Sequence, residues 1–151
     1  MIAYLSGGME NAIDEGADWR RMMRSWLKEN LNHDVFDPVI ESQKIIMKND
    51  AKDFRTLKKS DPEKFREIFQ KLIHQDLKTI VENADYLIVL WDRSVINGGG
   101  THGEVTMAYW ENKPIFLVNK LPDLSAWISS CSSKTYDSFS SLKKDLLRMY
   151  K

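Results

Sequence analysis

A chain of 151 residues is long enough to bury a sizeable core, and residues 1–151 are expected to form one domain. Its 22 basic and 22 acidic residues cancel, which sets aside a dedicated nucleic-acid or membrane-surface binder, since both carry a basic excess. The one cysteine, Cys131, excludes an internal disulfide and suits a reducing, cytoplasmic setting, and no apolar run reaches the length of a membrane span.

Ile2 to Leu5 is a short apolar run that ends at Ser6-Gly7-Gly8. It reads as a first strand leading into a loop sized for a phosphate or a sugar. Met9 to Gly16 is polar and acidic and reads as loop. From Ala17 the pattern is helical: Trp19, Met22, Met23, Trp26 and Leu27 form one apolar stripe, with Arg20, Arg21, Arg24 and Lys28 opposite, on the solvated side. Val35-Phe36 reads as a second strand, stopped by Asp37-Pro38. Residues 41–60 mix Ile45, Ile46 and Met47 with dense charge, which fits either a helical excursion or a mobile flap over the sheet's edge.

Ser60-Asp61-Pro62-Glu63 is a helix start, with a capping residue before a proline at the first helical position. The helix is expected to run to about Asn83 with Phe65, Ile68, Phe69, Leu72, Ile73, Ile80 and Val81 on its buried face. Asp76 falls on that stripe. It either sits at the stripe's edge or faces a pocket, because an unpaired buried charge costs roughly several kcal/mol.

Tyr86 to Trp91 is an uninterrupted apolar run, the mark of a strand covered on both faces. Asp92 ends it. The loop beyond narrows to Gly98-Gly99-Gly100-Thr101-His102-Gly103-Glu104 and turns into a helix; Pro114 opens the next strand, Ile115 to Val118. In open α/β sheets ligands sit outside the carboxyl ends of the strands, where this loop must lie. Consecutive glycines there let backbone N–H groups approach a ligand. Thr101 and Glu104 fit two readings. One is a capping box; the other places Glu104 in the first helical turn for a ligand, and Gly103 is a poor choice for a helix built for stability alone. Further on, Trp127-Ile128 reads as the start of a fifth, edge strand, and Ser138 as the cap of a last helix carrying Phe139, Leu142, Leu146 and Met149. This alternation indicates a three-layer α/β domain with a mostly parallel sheet.

Three carboxylates, Asp76, Asp92 and Glu104, suggest chemistry at an anomeric carbon, where one carboxylate attacks and an acid assists the leaving group. Several candidates have plainer alternatives: Asp92 as a strand-end turn residue, His102 as a solvated loop histidine rather than a base, and Tyr4 as core rather than a partner for a carboxylate. Cys131 has no partner motif. No histidine or cysteine pair has metal spacing, and Gly98 to Thr101 is neither a Walker loop nor a dinucleotide fingerprint, so neither metal nor cofactor is expected.

Taken together, Tyr4-Leu5-Ser6-Gly7-Gly8, Phe36-Asp37-Pro38, Asp76, Ala84-Asp85, Gly100-Thr101-x-x-Glu104, Ala108 and the Pro114 strand make the chain resemble the nucleoside 2-deoxyribosyltransferase family. The resemblance implies a flavodoxin- or Rossmann-like fold with a five-stranded parallel sheet. It implies Glu104 as the nucleophile that attacks C1′ and releases the base, Asp76 as an active-site aspartate, and Tyr4 as the tyrosine that orients the nucleophile. Substrate contacts are implied for Ser6, Gly7, Gly8, Asp92, Asn97, Gly98, Gly99, Gly100 and Thr101, with an arginine such as Arg20 as a further candidate for a phosphate. The substrate class is a 2′-deoxynucleoside or its 5′-monophosphate, the sugar passing to another base or to water, and the working form is a homodimer or larger homo-oligomer. There is one departure. The transferases carry an aspartate just before the glycine loop to help protonate the base; here Asn97 or Gly98 stands in that place and the nearest acid is Asp92. The glycine run also resembles the cytokinin-activating phosphoribohydrolases, without their proline and spacer. A nucleotide-sensing domain without turnover is the reading of a different class.

Overall fold

In the computed structural model, which describes Met1–Lys151, five strands and seven α-helices alternate along the chain. The strands are β1 (Ile2–Gly7), β2 (Asp34–Phe36), β3 (Tyr86–Trp91), β4 (Ile115–Asn119) and β5 (Lys134–Tyr136). They form one sheet in the order β2-β1-β3-β4-β5, and every pairing is parallel. The helices are α1 (Ala17–Leu31), α2 (Pro38–Lys48), α3 (Phe54–Ser60), α4 (Pro62–Glu82), α5 (Gly100–Trp110), α6 (Ala126–Cys131) and α7 (Phe139–Tyr150). The chain leaves β1 toward one edge to make β2 and later returns on the other side to make β3. Their exit loops therefore diverge, and a crevice opens between them at the sheet's carboxyl edge.

The period of two along each strand builds two cores. Tyr4, Leu87, Val89, Trp91, Ile115 and Leu117 face one side, where Ile80, Val105 and Ile128 pack on them. Ala3, Leu5, Tyr86, Ile88, Phe116 and Val118 face the other, under Met23 and Leu27 of α1 and Leu142 and Leu146 of α7. Both faces are covered, which is why β3 and β4 read as continuous apolar runs and why the fold has three layers. β2 stops after three residues because Asp37 caps α2, its carboxylate accepting from Val39 N at 3.0 Å, and Pro38 takes the first helical position.

Residues 41–60 take the helical of the two forms expected for them. α2 and α3 have a small core of their own, in which Ile46, Ala51 and Phe54 pack on Ile68 and Leu72 of α4. The Phe54 ring stacks on Phe65 at 4.8 Å between centroids. α4 starts and stops as its sequence indicates, capped by Asp61 and ending at Asn83, but Ile73 on the expected buried face is exposed.

Two expectations are corrected. Trp127-Ile128 is not a strand. Ser125 accepts from Ile128 N and starts the short helix α6, which buries Ile128, and the edge strand is β5, a few residues later. In α1 the inner and outer positions differ from the expected stripe: Met22 is exposed, while Arg20, placed on the solvated side, is fully buried. The first turn of α1 crosses the end of β1 rather than the apolar core, so the buried position there faces carbonyl groups.

The separate core of α2 and α3 makes their attachment testable. Phe54→Ala is expected to cost about 3–5 kcal/mol locally and to raise amide exchange across residues 38–60. Protection of β1, β3 and β4 should be unchanged, as hydrogen exchange read by mass spectrometry would show.

Candidate active site

A cleft of about 520 Å³ opens at the carboxyl edge of the sheet, between the exits of β1 and β3. That volume lies within the range of small-molecule sites. Gly7 and Gly8 form one wall, and Ser94 with the run from Asn97 to Thr101 forms another. Asp76 enters from α4 and Glu104 from α5, while Phe65, Phe69 and Leu72 give an apolar side. Two cations of α3, Arg55 and Lys58, also line it.

The β1 exit must pass close to the β3 exit, and Gly8 allows this: a Cβ there would run into the Ser94 side chain. The glycines at 98, 99, 100 and 103 are different. None has positive φ, and a Cβ on Gly99 or Gly103 would meet nothing within 4 Å. Packing does not demand them; they keep space clear in front of the backbone. α5 begins at Gly100 with Gly99 as its cap residue and no side-chain cap bond. The capping box that Thr101 and Glu104 could have made is therefore absent. Glu104 stands beyond the first turn, and a Cβ on Gly100 would lie 4.0 Å from its Oε1.

The three residues expected to act together do meet. Tyr4, in the middle of β1, is fully buried, and its hydroxyl is turned toward Glu104 and Asp76. Hydrogen bonding from Tyr4 and Ser6 favours the ionised form of Glu104. Yet the Tyr4 hydroxyl, the Ser6 hydroxyl and Glu104 Oε2 are all buried and none closes a bond of standard length and angle. Such looseness is common in unliganded sites, whose hydrogen bonds tighten around the reacting group. Burial pushes the Glu104 carboxyl up to about 7, against the pull of Tyr4, Arg20 and Ser6. Burial, and then the charge of Glu104, push the Asp76 carboxyl up to about 8. Burial and the same two carboxylates raise the Tyr4 phenol well above its ordinary value, so it stays a hydrogen-bond donor.

Other expected residues lie elsewhere. Asp92 does not line the cleft; its Oδ1 accepts from the amide and the hydroxyl of Ser94 and starts the single 3₁₀ turn Arg93–Val95. Through Ser94 it shapes the wall without reaching the space. His102 packs its ring edge-on against Trp91, 4.7 Å between centroids. Arg20 does not line the cleft either, and its guanidinium is occupied by backbone carbonyls. No set of three or more His, Cys, Asp or Glu side chains converges as a metal site.

Arg55 and Lys58 were not among the sequence candidates. Arg55 forks onto Glu15 at 3.0 and 2.9 Å, and Lys58 reaches Glu10 at 2.7 Å, so α3 is tied across the cleft to the β1–α1 loop. The signal was present as complementary charge: two cations three residues apart, and two acids in the loop after β1.

The raised Glu104 value has a consequence for stability. Below the ordinary carboxylate value of 4.5, folded and unfolded chains both hold the proton and the residue costs nothing. Above it the unfolded chain ionises first, and the cost to the fold grows until pH passes about 7, where it is fully present. Glu104→Gln is expected to fold and to gain about 2–3 kcal/mol at pH 8, melting several degrees above the native chain. The gain should vanish by pH 4; thermal melts at the two pH values measure it.

No family model matches the chain, and no curated protein sequence does. Solved structures are similar in fold. One is a 2-deoxyribosyltransferase from the psychrotolerant bacterium Bacillus psychrosaccharolyticus, with a TM-score of 0.61 and 14% identity over 95% of this chain and 90% of that one. Another is the Clostridium botulinum CMP N-glycosidase BcmB, with a TM-score of 0.56 and 18% identity over the whole of both chains. Both belong to the nucleoside 2-deoxyribosyltransferase family that the sequence resembles. At these identities what this chain shares with them is the fold, a three-layer α/β domain with five parallel strands.

Proposed function

We propose that the chain cleaves the N-glycosidic bond of a 2′-deoxynucleoside or of its 5′-monophosphate through a glycosyl ester on Glu104, and passes the sugar to another base or to water. The observation that carries this reading is a pair of carboxyls in one cleft, one raised to about 7 and the other to about 8. Near neutral pH such a pair supplies an ionised nucleophile and a protonated acid side by side.

In the first step a Glu104 oxygen forms a bond to C1′, the bond from C1′ to the base nitrogen breaks, and its electron pair leaves with the base. Asp76 gives that nitrogen its proton, which takes over what the missing aspartate before the glycine loop does in the family. The Tyr4 and Ser6 hydroxyls hold the Glu104 carboxylate in line. In the second step water or an acceptor base attacks C1′, the ester opens, and the Asp76 carboxylate takes the proton back. Gly7, Gly8, Asn97 and the run from Gly98 to Thr101 hold the sugar or its phosphate with backbone and side-chain donors; Asp92 acts through Ser94. The names of the two structural neighbours, a deoxyribosyltransferase and a CMP N-glycosidase, support the bond type. The working form is a cytoplasmic homodimer or larger homo-oligomer of one-domain subunits, and light scattering on the purified protein checks its size.

Incubation with a panel of deoxynucleosides and 5′-monophosphates, with and without an acceptor base, should release free base. Glu104→Ala is expected to lose at least about 10³-fold in that release while staying folded; undiminished turnover refutes the nucleophile. Activity should rise with pH through about 7 as Glu104 ionises and fall through about 8 as Asp76 loses its proton. A rate that stays flat from pH 5 to pH 9 contradicts that division of roles. Asp76→Asn should slow release of an ordinary nucleobase by about 10²–10⁴-fold and a leaving group that needs no proton far less.

A further inference from the structure

Arg20 is 1% exposed, yet it belongs to neither core and lines no part of the cleft. Its place follows from how β2 ends. Carbonyls of β1 alternate between its two neighbours. Asp34 N donates to Met1 O on the β2 side at 2.9 Å, and Asp85 N donates to Ile2 O on the β3 side. In that register Phe36 serves Ala3 and the next donor, for Leu5, would be residue 38. Residue 38 is proline and has no N–H. The carbonyls of Leu5 and Gly7 would be left without partners at the point where β1 enters the cleft.

Arg20 supplies them. Nε donates to Leu5 O at 3.1 Å and Nη2 to Gly7 O at 2.9 Å. Nη1 turns to the far end of the same loop and donates to Gly16 O at 3.0 Å and Glu15 O at 3.4 Å. The guanidinium thus continues the strand edge that Pro38 breaks and joins both ends of the β1–α1 loop. Gly16, at φ 76°, leaves the room for it, since a Cβ there would collide with Nη1. All four acceptors are neutral. The nearest carboxylate, Asp37, is 3.9 Å away and is shared with Arg24. The buried positive charge is only partly answered on its own side.

We propose that Arg20 is the positioning residue of the cleft, holding the β1 exit so that the Tyr4 and Ser6 hydroxyls face Glu104 and supplying from α1 the buried cation that balances the Glu104 carboxylate. This rests on the reading of Glu104 as the working carboxylate. The groups that act on Glu104 are the Tyr4 and Ser6 hydroxyls from β1, Asp76 from α4 and, by its charge alone, Arg20 from α1; on α5 itself, His102 is turned onto Trp91. Arg20 is the one cation among them. It favours the ionised forms of Glu104, Asp76 and Tyr4 alike.

The test titrates Glu104 itself, so it does not depend on finding a substrate. Protein labelled with ¹³C at the glutamate carboxyl is followed by NMR across pH, with Glu104→Gln to assign the signal. Arg20→Gln should move the Glu104 midpoint to higher pH. Asp37→Asn, which keeps the α2 cap and removes the charge that competes for Arg20, should move it to lower pH. Arg20→Lys should keep the midpoint near that of the native chain while amide exchange rises across residues 7–16, because an ammonium cannot reach all four carbonyls. A residue that only held the loop would alter exchange and melting and leave the midpoint in place. An unmoved midpoint in folded Arg20→Gln and Asp37→Asn overturns the proposal, and where Arg20→Gln does not fold, an unmoved midpoint in Asp37→Asn alone does so. Where a substrate turns over, Arg20→Gln should lower kcat by about tenfold or more near pH 7 with little change in KM. Absence of turnover with any substrate would sink the proposed activity and leave these midpoint shifts standing.

Discussion

A carboxyl group shut away from water loses its hydration, and the chain around Glu104 is arranged to offset that loss without removing it. Tyr4 and Ser6 offer hydroxyls, and Arg20 offers a charge from the far side of β1. None is a direct, closed ion pair, which would hold the group permanently ionised and well below neutral pH. The Glu104 carboxyl is left near 7 instead. Asp76 has fewer favourable neighbours and feels Glu104 as a like charge, so it sits higher, near 8. Two chemically similar acids are thus given different protonation states by burial and by the order in which they ionise.

The sheet order decides which elements can meet at that point. β1 and β3 are adjacent but are separated in sequence by β2 and four helices. Their exit loops therefore come from distant parts of the chain: one brings Gly7 and Gly8, the other Ser94 and the glycine run. α4, which leads into β3, lays Asp76 along the crevice, and α5, which leaves it, brings Glu104. α2 and α3 complete the enclosure. The ion pairs of α3 to the β1–α1 loop are about a third or more exposed on both sides, at 34% and 39% for Arg55 and Glu15, so each contributes little to stability. The phenylalanine stack and the small core beneath it hold the two helices in place.

Much of this was legible because the residues involved obey local rules. A continuous apolar run followed by glycine and a helix is the signature of a buried strand and its exit, and both β1 and β3 carry it. Asp76 was visible as a break in a helical stripe. The misreadings have a common cause, which is that period alone does not say what an element packs against. Arg20 lies on the polar side of α1 by composition, and only the missing N–H of Pro38, combined with the register of β1 and β2, shows why a cation is buried there. Trp127-Ile128 is apolar enough for a strand, but the Ser125 cap three residues before Ile128 marks a helix start, and the strand signal of Lys134–Tyr136 is too short and too polar to stand out. Arg55 and Lys58 were hidden in residues 41–60, where several other acids and cations stand close by in sequence.

The family that the sequence resembles carries an aspartate just before the glycine loop, and its absence here bears on how the proposed site would protonate a leaving base. Asp92, the nearest acid in sequence, is held by the Ser94 amide and hydroxyl and does not line the cleft. Glu10 lines the cleft but is paired to Lys58, which lowers its pKa, so it does not hold a proton near neutrality. Asp76 alone among the carboxyls of the cleft is both turned inward and pushed above neutrality. If one acid must serve the departing base and then the incoming nucleophile, its proton has to be given and recovered at the same oxygen. A carboxyl near 8 beside one near 7 suits that exchange in the proposed mechanism: esterifying Glu104 would remove its charge and lower the repulsion on Asp76, so that the newly formed Asp76 carboxylate would be easier to keep until the second step.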